Sequence, residues 1–256
     1  MVRFRTPMQR PGALTAPHAV RTRRTGPARG ARRAALLAGA TLVTALALPA
    51  LPAPPGTAAT LAAQAPERSL QKRAAASRAK GAESAPVLVF EVADFQCPYC
   101  ARFWKETFPR LDSAYIRTGK VRWVFVNLPL PSHPHAWAAA EAALCAGATG
   151  GDFWFLHDRL FANQREWSAL ADPLPVFIRY AREGGVSEPE FRACIEADLV
   201  APLILEDVIF AARAGVRGTP AFLTSEDQTV VGLKSFEEWE QVLEEALRRA
   251  AAAGRR

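Results

Sequence analysis

Cysteine is scarce in this chain of 256 residues: there are four, and none lies among the first 96 residues. The absence of cysteine from the N-terminal region excludes a lipoprotein anchor there. Only one Cys-x-x-Cys motif is present, and a zinc ribbon needs a second motif or a matching histidine pair. The other two cysteines, Cys145 and Cys194, stand alone, so we expect no metal site.

Acidic residues are absent from residues 1–66, which contain nine arginines and no lysine, a formal charge of +9. Residues 67–256 contain the remaining 23 of the 32 basic residues and all 25 acidic residues, which gives a formal charge of −2. The net charge of +7 therefore belongs to the N-terminal segment. We assign no nucleic-acid function to it, because such a segment is typical of targeting sequence.

Residues 1–52 have the pattern of a signal peptide or an N-terminal anchor. The arginine-rich start leads into the apolar stretch Ala34 to Ala47, and several prolines follow among small residues. About fourteen apolar residues are few for a membrane span of roughly twenty. Ala45-Leu46-Ala47 resembles a cleavage site. These features favour a cleaved signal peptide.

An uncleaved anchor is the alternative, if the apolar run is extended past Pro49 to Leu51. Arg32-Arg33 also allows a twin-arginine export route. Either way the sequence predicts an extracytoplasmic location, in the periplasm or at the outer face of the cell membrane. Disulfides persist in such compartments, and all four cysteines follow the leader.

Residues 53–84 are rich in small and polar residues and predict a flexible linker, because they offer little apolar surface to bury; a frayed helix over Leu70 to Lys80 is the alternative. Residues 85–250 have the size of one domain. Hydrophobic patterns within it predict an α/β order of strand, helix, strand, a helical insertion over about 131–214, two strands and a final helix. The predicted strands are 87–93, 121–128, 221–224 and 229–233, and the flanking helices are 99–117, with a kink expected at Pro109, and 236–250.

Cys97-Pro98-Tyr99-Cys100 follows the first strand and opens the first helix of this domain. At a helix N-terminus, free backbone N–H groups and the positive end of the helix dipole stabilise a thiolate. We therefore interpret the motif as a redox-active dithiol with Cys97 facing solvent and Cys100 behind it. A structural disulfide and half of a zinc site are the alternatives.

The sequence resembles the exported DsbA-like thiol-disulfide oxidoreductases, in particular their BdbD-type branch. The resemblance covers nearly all of residues 85–248. It is carried by Asp94 through Cys100, Leu128 through Cys145, Asp152 through Phe161, and Gly215 through Pro220. The family implies a thioredoxin fold with an inserted all-helical subdomain.

The resemblance also implies further site residues. In this family the peptide bond that corresponds to Thr219-Pro220 is cis and lies against the dithiol, where the backbone of Thr219 can pair with a substrate strand. Glu91 lies six residues before Cys97 in an apolar strand, and the family places a glutamate there beneath the dithiol. Burial would raise the pKa of this carboxyl, which suits a proton relay with Cys100. A turn proline and a strand-edge glutamate are the alternatives.

Aromatic side chains around the motif suggest a surface for unfolded substrates. Tyr99 is the best candidate for exposure, and Phe95 is a second candidate for substrate contact, with packing in the core as the alternative for several of these aromatic residues. His133, His135 and His157 are expected to be structural. For Cys145 and Cys194, a structural disulfide is the economical interpretation in an exported protein, with two free thiols or an electron-relaying pair as alternatives.

The predicted function is an exported protein disulfide oxidoreductase that introduces disulfides into secreted or cell-envelope proteins through Cys97 and Cys100. No cofactor is required, because the two sulfurs carry both electrons. Expected partners are cysteine-containing exported polypeptides and, as the resemblance implies, a membrane reoxidant of the DsbB or vitamin K epoxide reductase type. We expect a monomer. The alternatives are an extracytoplasmic reductase or isomerase and a non-catalytic peptide-binding or chaperone module.

Overall fold

The computed structural model describes residues 57–226 and 228–254. The signal peptide or anchor predicted over residues 1–52 lies outside the described residues. No helix in the described ranges has both the length and the apolar character needed to cross a membrane.

The strands lie where the sequence predicts them, with one short addition at the start. Their bounds are β1 (Ala79–Lys80), β2 (Val87–Ala93), β3 (Val121–Asn127), β4 (Ala221–Thr224) and β5 (Thr229–Val231). The helices are α1 (Thr57–Ser77), α2 (Pro98–Glu106), α3 (Phe108–Leu111), α4 (Ala136–Ala148), α5 (Phe153–Ala162), α6 (Gln164–Trp167), α7 (Leu174–Glu183), α8 (Glu188–Glu196), α9 (Ala201–Arg213) and α10 (Phe236–Ala253).

The five strands form one mixed sheet in the order β1-β3-β2-β4-β5. Strands β2 and β3 are parallel, and the other neighbours are antiparallel. Because parallel strands need a crossover, α2, α3 and a π-helical turn at Asp112–Ile116 connect β2 to β3. This order confirms the predicted thioredoxin-like α/β fold with helices inserted between β3 and β4.

One face of the sheet carries the main aromatic core. Phe103 of α2, Trp123 of β3, Phe222 of β4 and Trp239 of α10 are all fully buried, and the ring centroids of Phe222 and Trp239 lie 4.7 Å apart. The opposite face packs against α9 through a smaller cluster that includes Ala211. The sheet is therefore a middle layer that holds α2 at its carboxyl edge.

The first predicted helix, 99–117, is broken in the structure. Helix α2 ends at Glu106, and α3 begins at Phe108. Pro109 has no backbone N–H and cannot continue the hydrogen-bond ladder of α2. The break leaves α2 as a short helix whose N-terminus carries the dithiol.

The flexible linker predicted over residues 53–84 is wrong for its larger part. Residues 57–77 form α1, and β1 pairs with β3. Ala74 is fully buried, and the side-chain nitrogens of Gln71 and Arg73 donate to the carbonyls of Leu199 and Ala148 at 2.9 and 2.8 Å. The prediction failed because a helix rich in small residues can still bury one face. It does so when the helix that packs against it is also made of small residues.

Helix α4, which packs against α1, supplies that partner. It is rich in alanine, and a Cβ at Gly147 would lie only 2.0 Å from the Ser77 hydroxyl oxygen. The missing side chain at Gly147 thus lets the end of α1 approach α4 closely.

The helical insertion was predicted over about 131–214, and its C-terminal bound is wrong. Helices α4 to α8 lie between β3 and α9, whereas α9 itself packs on the sheet through Ala211. The insertion is therefore better bounded before residue 201.

Within the insertion, Cys145 of α4 and Cys194 of α8 are joined by a disulfide with an S–S distance of 2.00 Å. Closing a loop of this length stabilises a fold by about 4 kcal/mol at most in the chain-entropy model.

Candidate active site

The dithiol lies where β2 gives way to α2. Cys97 is the N-cap residue of α2 in an extended conformation, and Pro98 occupies the first helical turn. Proline suits this position because its missing N–H would have no partner there. The carbonyl of Cys97 accepts the first helical hydrogen bond, from the N–H of Ala101 at 3.2 Å. Both sulfurs of the pair are free thiols in the structure.

Cys97 is less exposed than the sequence suggests. It is 3% exposed, and Cys100 is fully buried. The prediction that Cys97 faces solvent is therefore wrong for this conformation, because the loop before β4 lies over its sulfur. The most exposed residue of the motif is Tyr99, at 60%.

The two thiols differ in electrostatic environment. A hydrogen bond from the Cys100 thiol lowers the pKa of Cys97 to about 6, although burial opposes this shift. Smaller contributions come from the Thr219 side chain and the backbone N–H groups of Cys100 and Tyr99. Burial, followed by the neighbouring Cys97 sulfur, raises the pKa of the Cys100 thiol well above its usual value. Of the two sulfurs, Cys97 is therefore the one that ionises more readily.

The loop before β4 carries the second part of the site. The Thr219-Pro220 peptide bond is cis. The Cys97 Sγ lies 3.5 Å from the Thr219 carbonyl oxygen, to which the sulfur donates when it is protonated. The loop thus places a backbone carbonyl directly beside the reactive sulfur.

Glu91 is buried in β2, 2% exposed, on the face of the sheet that packs against α2. Burial raises the pKa of its carboxyl to about 8, although the Trp123 indole N–H, which donates to Glu91 Oε2 at 2.7 Å, opposes this shift. The carboxyl is therefore protonated at neutral pH. Its hydrogen-bond partner among the described residues is Trp123 rather than either sulfur.

Phe95 does not contact solvent, so its predicted role in substrate binding is wrong. It is 1% exposed and stacks on Phe125 with ring centroids 4.8 Å apart. His157, 1% exposed, packs edge-on against the same Phe95 ring and holds Asp158 at 2.8 Å. Both residues belong to the core beneath the site.

His133 and His135 lie near the dithiol loop. His133 Nδ1 is 2.8 Å from Asp94 Oδ2, and the buried carboxylate of Asp94 also accepts the N–H groups of Gln96 and Leu130. His135 Nε2 is 2.8 Å from the carbonyl oxygen of Leu170. These contacts tie the loop before Cys97 to the segment before α4.

A groove of about 790 Å³ runs beside the dithiol, between α2 and the α5–α6 corner. Pro98, Ala101, Trp104 and Phe161 give it an apolar floor, and charged side chains such as Arg102 and Arg165 line its rim. Its lining includes Pro98, which directly follows Cys97, so the groove is a candidate surface for the chain of a substrate.

Sequence reasoning missed the glutamines around the loop. Gln164 of α6 donates its side-chain amide to the carbonyls of Phe95 and Cys97, at 2.7 and 3.0 Å. Gln96 accepts the N–H of His135 at 2.8 Å. Gln96 directly precedes the motif, so its place near the dithiol could have been predicted from the sequence. Nothing in the spacing of Gln164 points to the dithiol.

A family model described as thioredoxin matches residues 73–245. The chain belongs to the thioredoxin family. Its fold, with helices inserted between β3 and β4, is similar to that of solved DsbA structures.

The chain is similar in sequence or in fold to the following three proteins. The chain is 38% identical over 147 residues to the Na(+)/H(+) antiporter NhaA 3 of Salinispora tropica, covering 57% of this chain and 21% of that protein. It is 30% identical over 146 residues to the probable disulfide bond formation protein D of Bacillus cereus, covering 55% and 66%. The crystal structure of oxidised BdbD from Bacillus subtilis shares the fold with a TM-score of 0.60, at 21% identity and with coverage of 67% and 92%.

The similarity to the first two proteins is partial in length. The chain spans about a fifth of the antiporter and about two thirds of the Bacillus cereus protein.

Proposed function

We propose that this protein is an exported dithiol oxidase that introduces disulfides into secreted or cell-envelope polypeptides. The observation that carries the proposal is the asymmetry of the dithiol, with a low pKa at Cys97 and a high pKa at Cys100. A stabilised Cys97 thiolate favours the reduced form of the pair, which makes the disulfide a stronger oxidant.

The proposed reaction starts from oxidised protein. A substrate thiolate attacks the Cys97 sulfur, the Cys97–Cys100 bond breaks, and Cys100 leaves as a thiolate that takes up a proton. A second substrate thiolate then attacks the substrate sulfur of the mixed disulfide and releases the Cys97 thiolate. Two electrons pass from the substrate dithiol to the pair, and the substrate leaves as a disulfide.

Three groups beside the dithiol have proposed roles in this reaction. Glu91, protonated at neutral pH, is the proposed donor of the proton that Cys100 takes up, by way of water between them. Thr219 offers its backbone to an extended substrate segment, with Pro220 holding the turn. Tyr99 and the adjoining groove supply apolar contact without sequence specificity.

Export and reoxidation complete the proposal. The pattern of residues 1–52 supports an extracytoplasmic location. Reduced protein must return its two electrons to an oxidant, for which we propose a membrane partner of the DsbB or vitamin K epoxide reductase type. Cys145 and Cys194 have a proposed structural role, since both are buried and already joined.

The redox equilibrium of Cys97–Cys100 tests the direction of this reaction. The full chain is equilibrated with graded glutathione buffers, quenched with acid and alkylated, and the two cysteines are quantified by mass spectrometry. We expect a potential less negative than about −200 mV. A value near that of thioredoxin, about −270 mV, would contradict the oxidase and favour the reductase.

A further inference from the structure

The side-chain amide of Gln164 joins the helical insertion to the loop that carries the dithiol. Gln164 is the first residue of α6, half-buried at the edge of the groove beside α2. Its Nε2 lies 2.7 Å from the carbonyl oxygen of Phe95 and 3.0 Å from that of Cys97. One side-chain NH₂ group therefore holds the carbonyls on both sides of residue 96.

The Cys97 carbonyl is also the start of α2. It accepts the N–H of Ala101 at 3.2 Å, and the N–H of Cys97 donates to the Asp94 carbonyl at 3.0 Å. The backbone of Cys97 is thus held by two parts of the molecule. Its N–H donates to Asp94 within the dithiol loop, and its carbonyl accepts from Gln164 of the helical insertion. A shift of this carbonyl would change the backbone conformation of Cys97 at the first turn of α2, where the sulfur is held.

A second glutamine spans the same boundary in the opposite direction. The Gln96 side-chain oxygen accepts the N–H of His135 at 2.8 Å, and its nitrogen lies 3.5 Å from the Ser168 carbonyl oxygen. Gln96 reaches from the loop to the insertion, and Gln164 reaches back. The two amides brace the dithiol loop between the sheet and the helices α4 and α6.

We infer that Gln164 is a positioning residue for thiol-disulfide exchange: it donates to the carbonyls of Phe95 and Cys97 and thereby fixes the Cys97 sulfur at the N-terminus of α2. This inference rests on the proposed redox role of the pair, but it concerns where the sulfur is held rather than the direction of electron flow. Helix α6 is thus part of the redox machinery although it contains no reacting group.

The chemistry of the contact predicts the effect of changing it. A carboxylate cannot donate, so Gln164→Glu replaces two hydrogen bonds by repulsion from two carbonyl oxygens. It also places a negative charge next to the segment that stabilises the Cys97 thiolate. Gln164→Met keeps the length of the side chain and removes the donors without adding a charge.

The matched control is Gln71→Glu. Gln71 is also half-buried, and its Nε2 also donates to a backbone carbonyl, that of Leu199, at 2.9 Å. This bond joins α1 to the segment before α9, away from the dithiol loop. Gln71→Glu therefore has the same change of charge and the same loss of donor at another place.

The experiment measures the pKa of Cys97 from thiolate absorbance and the equilibrium constant with glutathione, on the full-length variants. For Gln164→Glu we expect the Cys97 pKa to rise by about one unit and the oxidising equilibrium constant to fall about tenfold, equivalent to about 30 mV. Gln164→Met is expected to change the equilibrium constant about threefold. Gln71→Glu is expected to leave both quantities at wild-type values.

Unchanged pKa and equilibrium constant in folded Gln164→Glu would overturn the inference, as would an equal shift in Gln71→Glu. If Gln164→Glu does not fold, Gln164→Met decides: wild-type values would overturn the inference, and the threefold change would support it. The proposed oxidase fails separately, on the potential of the wild type, because the effect of Gln164 is measured relative to that value.

Discussion

We expect Cys97→Ser to eliminate the reaction with glutathione disulfide and Cys100→Ser to leave a Cys97 that reacts and stays modified. At pH 7 a thiol with a pKa of about 6 is mostly thiolate, and in Cys100→Ser the serine hydroxyl can replace the Cys100 thiol as the donor that lowers the Cys97 pKa. Cys100 is fully buried with a raised pKa, so in Cys97→Ser the remaining thiol is both protonated and inaccessible. We expect the modification rates of the two variants to differ by at least about a hundredfold, because the thiolate is the nucleophile.

The two variants control for each other, since each replaces one sulfur of the pair by oxygen. Mass spectrometry after timed exposure should find one glutathione on Cys100→Ser and none on Cys97→Ser. Equal rates in the two variants would contradict the assignment of Cys97 as the attacking and attacked sulfur. A peptide-binding module would retain its binding in Cys97→Ser, so peptide affinity measured on the same samples separates that alternative from the oxidase.

Glu91→Gln should stabilise the fold at neutral pH and much less at pH 5. In the unfolded chain the carboxyl ionises above its usual pKa of 4.5, whereas in the folded chain it stays protonated up to about pH 8. The unfolded state therefore binds fewer protons between these values, and the stability of the wild type falls as the pH rises through this window. Glutamine does not ionise and can still accept from the Trp123 indole.

The expected difference in the free energy of unfolding between Glu91→Gln and the wild type is about 2 kcal/mol larger at pH 7 than at pH 5. Denaturant unfolding is measured on protein with Cys97 and Cys100 oxidised, so that the Cys97 thiol does not titrate. Glu196→Gln, an exposed change of the same kind on α8, should follow the wild type across this range. If the free energies of unfolding of Glu91→Gln and the wild type changed in parallel with pH, the buried carboxyl would ionise as it does in water, contrary to the prediction.

The parts of the fold that follow from local pattern were predicted. The apolar run 87–93, the capping residue Ser235 and the glycine breaks between helices act within a few residues, so they can be identified in the sequence. The structure places strand β2 there, and Ser235 caps α10 with a reciprocal bond to Glu238. The Cys-x-x-Cys motif belongs to the same class, because it combines a strand end and a helix start in one short segment.

The parts that failed depend on residues distant in sequence. Helix α1 is stable because Ala74 and Ser77 meet the small residues of α4, and neither segment indicates this alone. Phe95 is buried because α5 covers it, and Cys97 is covered by the loop that carries Thr219. Gln164 donates to the carbonyl of Cys97, 67 residues earlier in the chain. No sequence pattern around a glutamine in a helical segment predicts such a contact.

The central claim is that the Cys97–Cys100 disulfide passes oxidising equivalents to a dithiol. The most direct test mixes the oxidised full-length protein with an equimolar reduced peptide that contains two cysteines, and then quenches and maps every thiol. The account predicts one peptide disulfide formed for each protein reduced at Cys97 and Cys100, with Cys145–Cys194 still joined. A peptide that stays reduced while the pair stays oxidised would contradict it.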